Sequence, residues 1–197
     1  MSKCRLASKC RIAIMASGSG SNFEALTMAC LGGDIAADVV LMVCDKPGAK
    51  VVDRASRLGV DALVLSPRDF ASKRDYEAEV VEALRSRGVE LICLAGYMRI
   101  IGDELLSSYE GRIVNIHPSI LPAFKGAHAI EQALAYGVKY YGATIHYVTQ
   151  ELDSGAIIDQ EVFRYDGVDV EELEAMVHTV EHPLYIRSVK RLVESLK

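Results

Sequence analysis

The sequence predicts a doubly wound α/β domain: a mostly parallel sheet with an antiparallel strand pair toward the carboxy terminus. Three observations predict it. Near-continuous apolar runs of strand length recur along the chain, helix-like segments ending in glycine separate them, and the pattern turns to alternation after Pro122. Continuous apolar runs suit strands covered on both faces, the usual state of a parallel sheet, whereas alternation marks strands with one wetter face.

The expected parallel strands are 12–15, 39–43, 62–65, 91–94 and 113–116, with helices at 23–31, 51–58 and 74–85 between them. Gly32, Gly59 and Gly88 stand where helix stops belong, because glycine enters the left-handed conformation that ends a helix without steric cost. Beyond Pro122, 129–136 reads as a helix stopped by Gly137. Residues 143–148 alternate in strand fashion, and 156–163 is the expected antiparallel partner across the Asp153-Ser154-Gly155 turn. Residues 170–196 read as one or two helices interrupted near Pro183, since proline removes a backbone donor and clashes with the preceding turn.

At 197 residues, half of them apolar, the chain has material for one domain, taken here as 11–197, after a flexible basic tail at 1–10. With 22 Lys and Arg against 27 Asp and Glu, the net charge of -5 argues against a nucleic-acid partner. No 18-residue apolar stretch suggests a membrane span. The five cysteines (Cys4, Cys10, Cys30, Cys44 and Cys93) are odd in number and form no C-x-x-C pair, so a reduced, cytoplasmic protein is expected.

Two regions carry chemistry. Residues 16–22, Ala-Ser-Gly-Ser-Gly-Ser-Asn, follow the first strand and open the first helix. Free backbone N–H groups and the helix dipole at such a place favour an anion. Phe23 stands where a dinucleotide loop needs its third glycine, and the Gly-Lys-Ser/Thr of a Walker loop is missing, so a single phosphate fits better than a pyrophosphate. The plainer alternative is a turn capped by Ser21 or Asn22. Asp45, ending the second strand, keeps a ribose contact open.

The second region is Val114-Asn115-Ile116-His117-Pro118-Ser119-Ile120-Leu121-Pro122, followed by Glu151-Leu152-Asp153-Ser154-Gly155. Asn115 and His117 alternate on one strand and so share a face. Pro118 holds His117 extended at a strand exit, where open α/β sheets bind ligands. An amide, an imidazole and a carboxylate together can stabilise an oxyanion and move a proton. His146, inside an alternating strand, reads as a supporting residue. His178, Glu181 and His182 would share a helix face; with no further ligand group evident, a pocket lining is expected there and no metal.

These motifs together resemble the glycinamide ribonucleotide formyltransferase family, over about residues 11–187. The Asn-x-His-Pro-Ser-x-Leu-Pro and Leu-Asp-x-Gly motifs are shared with the wider formyltransferase superfamily, and the Gly-Ser-Gly-Ser-Asn loop is more specific to this family. The resemblance implies a Rossmann-like sheet, cytoplasmic purine biosynthesis, and 10-formyltetrahydrofolate as formyl donor. It implies Asn115, His117 and Asp153 as the catalytic trio. It assigns Gly20, Ser21, Asn22, Glu181 and, more weakly, His178 to glycinamide ribonucleotide. Met98, Arg99, Ile100, Ile101, Val148, Asn115 and Asp153 fall to the folate. Lys73 stands where the family often has a folate-contacting arginine, with Arg74 as its alternative if the register slips by one; lysine there loses bidentate carboxylate binding. A homodimer is left open. Two rival functions are a 10-formyltetrahydrofolate hydrolase and a non-catalytic folate- or nucleotide-binding module.

Overall fold

The computed structural model describes residues 9–196. Strand β1 (Cys10–Met15) leads through the glycine loop into α1 (Ser21–Gly32). There follow β2 (Ala37–Cys44), α2 (Lys50–Leu58), β3 (Ala62–Val64), α3 (Lys73–Ser86), β4 (Leu91–Leu94), α4 (Asp103–Ser108) and β5 (Ile113–His117). The second part is α5 (Ala129–Tyr136), β6 (Tyr140–Tyr147), β7 (Ile157–Arg164) and α6 (Val170–Ser195). The sheet has seven strands in the order β3-β2-β1-β4-β5-β6-β7. Strands β1 to β5 pair in parallel, and β6 joins β5 and β7 antiparallel.

The alternation of β1 shows why both sheet faces are covered. Ile12 and Ile14 enter a core with Phe23, Leu26, Val51, Leu184 and Tyr185, which draws α1, α2 and α6 onto one face. Ala13 and Met15 enter a second core with Tyr76, Val80, Leu84 and Leu105, which holds α3 and α4 on the other. The Tyr185 ring is fully buried, and its hydroxyl donates to the Leu94 carbonyl at 2.9 Å, pinning α6 to the exit of β4. A third cluster (Ile130, Tyr141, Tyr165, Leu173 and Val177) fastens α5 to the start of α6.

The structure corrects four expectations. Cys10 is buried and begins β1, and the Lys9 ammonium meets Asp38 at 3.0 Å, so neither residue belongs to a tail; residues 1–8 of that tail lie outside the described residues. Helix α1 runs through Gly32, and Gly33, with φ of 86°, ends it. Helix α6 passes unbroken through Pro183. Proline costs a mid-helix bond, yet Val177, Leu184, Tyr185 and Val189 on either side are all buried, and that packing holds the helix together. Finally, α4 went unforeseen: its six residues, Asp-Glu-Leu-Leu-Ser-Ser, are too few to show a helical period.

Candidate active site

The strand order reverses between β1 and β4, so the loops leaving those strands diverge and open a crevice at their carboxyl ends. A cavity of about 750 Å³ lies there. One wall is the glycine loop, a second is Met98–Ile101 after β4, and Asn115, His117 and Asp153 line the floor. His178 and Glu181 of α6 line it as well, and Val148 follows β6 into it.

The glycine loop is shaped by close approach. Gly20 has φ of 78°, and a Cβ there would fall 2.5 Å from Cγ2 of Val51, at the start of α2. Gly20 itself caps α1, with no side-chain cap from Ser21 or Asn22. Asn22 instead reaches across to α6 and donates from Nδ2 to Glu181 Oε2 at 2.9 Å. Burial pushes the Glu181 carboxyl above its ordinary range, while Asn22 and His178 pull the other way. The amide oxygen Oδ1 of Asn22 and Nε2 of His182 are buried without a partner among the described residues. Phe23 is fully buried in the core, and Asp45 is turned to Arg99, whose Nε donates to its Oδ2 at 2.8 Å.

Strand register assembles the floor. Asn115 lies opposite His146, and His117 opposite Thr144, so alternation puts all four on one face of the β5–β6 pair. A register shift in the β6–β7 pairing falls between Ile145 and His146. His146 is 2% exposed. Its Nδ1 is 2.9 Å from the Tyr147 carbonyl; a carbonyl only accepts, so Nδ1 carries the proton. Burial holds the ring below the ordinary histidine range, although the Tyr147 bond and Asp153 oppose this. Nε2 of the neutral ring is therefore a lone pair, and it accepts from Asn115 Nδ2 at 3.2 Å.

His117 is fixed by the same logic. Its Nε2 lies 2.8 Å from the Phe124 carbonyl and must donate, which leaves Nδ1 facing Asp153 Oδ2 at 3.4 Å. Asp153 sits in the β6–β7 connection with φ of 48°, and Gly126 donates its N–H to the same Oδ2 at 2.8 Å. Gly155 makes that turn possible, because a Cβ there would overlap the Tyr147 carbonyl at 1.8 Å. Thr144 ties the Pro-Ser-x-Leu-Pro segment down: its hydroxyl donates to Ser119 O at 2.7 Å and accepts from Leu121 N–H at 3.1 Å.

A second cavity of about 420 Å³ adjoins the first, sharing Tyr97, Met98, Arg99 and Ile100 and adding Lys73, Tyr76 and Glu77. Lys73 lies 3.9 Å from Glu77. Arg74 lines neither cavity and pairs with Glu104 at 3.5 Å. Met98 and Ile100 are 76% and 62% exposed, an apolar surface facing the crevice.

Residues 10–189 match the formyl transferase family model. Phosphoribosylglycinamide formyltransferase of Bacillus subtilis is 45% identical over 93% of this chain and 94% of its own length. The chain belongs to the phosphoribosylglycinamide formyltransferase family. Solved structures agree: glycinamide ribonucleotide transformylase 1 of Geobacillus kaustophilus has a TM-score of 0.91 at 50% identity, covering 94% of this chain and 99% of that one. Phosphoribosylglycinamide formyltransferase of Bacillus halodurans has a TM-score of 0.91 at 46% identity, covering 95% and 97%. The trifunctional purine biosynthetic protein adenosine-3 of Drosophila melanogaster is 42% identical over 93% of this chain, which spans only 14% of that longer protein.

Set in this family, the crevice also holds residues that the sequence did not single out. Gly126–Glu131, Thr149 and Gln150 line it, and His128 adopts φ of 60° there. A non-glycine residue in the left-handed region is an available signal only once the backbone is known. No helix among the described residues is long and apolar enough to cross a membrane.

Proposed function

We propose that this crevice transfers the formyl group of 10-formyltetrahydrofolate to the amine of glycinamide ribonucleotide, in cytoplasmic purine biosynthesis. The observation that carries the reading is the convergence of Asn115, His117 and Asp153 between the glycine loop and Met98–Ile101. Gly20, Ser21 and Asn22 would take the ribonucleotide phosphate on backbone N–H groups, with Glu181 and His178 across the cavity for its sugar and phosphate. Met98–Ile101 and Val148 would hold the pterin, and Lys73 and Arg99 the anionic tail in the adjoining cavity. The buried thiols of Cys30, Cys44 and Cys93 suit a reducing compartment, and burial pushes Cys30 up to about 12, where thiolate chemistry is suppressed.

The amine attacks the formyl carbon directly, and the tetrahedral intermediate carries an oxyanion. Asn115 has two amide hydrogens; one is spent on His146, and the second is left for the oxyanion. Nδ1 of His117 is the working nitrogen, because Nε2 is held by Phe124. Protonated, Nδ1–H donates to the oxyanion, with Asp153 Oδ2 3.4 Å from the same nitrogen. Neutral, its lone pair receives the proton that the attacking nitrogen must lose; collapse of the oxyanion then breaks the bond between the formyl carbon and the folate nitrogen, which departs with a proton. Bringing both substrates into one crevice supplies much of the acceleration.

A two-substrate assay tests the reading. Mixed with 10-formyltetrahydrofolate, the protein is expected to release deformylated folate only when glycinamide ribonucleotide is present, with no free formate. Formate released without the ribonucleotide would replace the transferase with a hydrolase. Tight ligand binding without turnover would leave a binding module.

A further inference from the structure

The two walls of the crevice are stitched together at one residue that lines neither cavity. Ser17 leaves β1 just ahead of the glycine loop and is 3% exposed. Its backbone N–H donates to the Gly96 carbonyl at 3.0 Å, and its hydroxyl oxygen accepts the Met98 N–H at 2.9 Å. Both contacts cross from the exit of β1 to the exit of β4, the point where the strand order reverses and the backbones would otherwise part. The next residue is anchored on its other side, where Gly18 O accepts the Val51 N–H at 3.1 Å. The segment 17–20 is thereby fixed between α2 and the loop 96–98.

From this geometry we infer that Ser17 is a positioning residue, which holds Met98–Ile101 in register with the glycine loop so that formyl donor and acceptor amine meet. The inference rests on the assignment of those two walls to the two substrates. The physical content is specific. Met98 is the first residue of the donor wall, its side chain is exposed to the crevice, and among the described residues its amide has a single partner, the Ser17 hydroxyl. Without that oxygen the amide is left unmet in a half-enclosed site, and the donor wall is free to shift. The glycine loop keeps its own ties through Val51 and the left-handed turn at Gly20, so the acceptor wall stays in place. The loss should therefore fall on one substrate.

Ser17→Ala tests this with steady-state kinetics on both substrates. The expected result is a KM for 10-formyltetrahydrofolate raised about tenfold and a lowered kcat, with the KM for glycinamide ribonucleotide within about twofold of wild type. Amide exchange at Met98 should quicken in the same variant. Ser17→Cys, which keeps a weak acceptor at the same place, should recover part of the donor KM. Equal losses for both substrates, or no change in either, would overturn the inference, as would a Met98 amide that exchanges at the wild-type rate. Binding of a non-reactive folate analogue to the wild-type protein separates this outcome from the broader one. An analogue that binds wild type and Ser17→Ala equally removes only the role of Ser17, whereas one that does not bind wild type removes the substrate assignment too.

Discussion

An asparagine amide turns easily about its last torsion unless something holds one end. Here the holder is His146, whose tautomer is set by the Tyr147 carbonyl and whose charge is suppressed by burial. A protonated ring would present an N–H there in place of the lone pair, and the Asn115 amide would turn its oxygen to it, taking the NH2 out of place. His146→Phe fills a similar space but offers no acceptor. Its kcat is expected to fall about ten- to a hundredfold with both KM values little changed, because the misalignment matters only where the oxyanion forms. A kcat within twofold of wild type would mean that Asn115 holds itself. Asn115→Ala and His117→Ala remove the donors themselves; each should lower kcat by about a hundredfold or more, with the melting temperature nearly kept. Wild-type turnover in both would remove the proposed chemistry. Asn115, His117 and Asp153 were legible in the sequence because they sit in dense motifs at predicted strand exits. His146 was legible only as a strand residue with a supporting role. What it supports depends on the pairing register of β5 with β6, and nothing in a strand's own residues names its opposite number.

The elements matter by where they stop and turn. Strand β1 stops at Met15, and the loop behind it must pass within contact of Val51. Gly20→Ala places a methyl group into that contact at a positive φ. It should cost about 2 kcal/mol of stability, read by denaturant unfolding, and should raise the KM for glycinamide ribonucleotide far more than that for the folate. An alanine variant as stable as wild type would show that Val51 yields freely. This is the mirror image of the loss expected at Ser17, so the pair of variants separates the two walls. Most element positions could be read in advance, since apolar runs and glycine stops are local signals. The exceptions were non-local. Helix α6 continues through Pro183 because residues on both sides of it are buried by the sheet and by α1, and α4 exists because Leu105 is buried in the second core. Sequence shows proline and a short polar stretch in those places; the compensating contacts come from distant parts of the chain.

At the scale of the whole molecule, the sheet divides the labour. Its parallel half supplies the two walls, the antiparallel pair supplies His146 and Asp153, and α6 closes the crevice with Glu181. Closing it buries titratable groups, and that leaves a signature in stability against pH. Burial lowers His146 and His182 below the ordinary histidine value of 6.5, so the unfolded chain takes up these protons first as pH falls. Stability should therefore be full above that value and decline below it. Burial acts on Glu181 in the opposite sense: its folded carboxyl protonates above the ordinary 4.5, which favours the folded state as pH falls and penalises it at neutral pH. The melting temperature is expected to drop as pH falls through the ordinary histidine value of 6.5, and the uptake of a proton by Glu181 above its ordinary 4.5 should then oppose the fall. Glu181→Gln keeps an oxygen that can accept from Asn22 and discards the buried charge. It should melt higher than wild type at neutral pH, lose that opposing effect at low pH, and bind glycinamide ribonucleotide more weakly. A variant that melts lower at neutral pH would show that the charge on Glu181, with its Asn22 and His178 partners, stabilises the fold more than its burial costs. If it instead gains stability and loses affinity together, the carboxylate is kept in the crevice for the ribonucleotide at the expense of the fold.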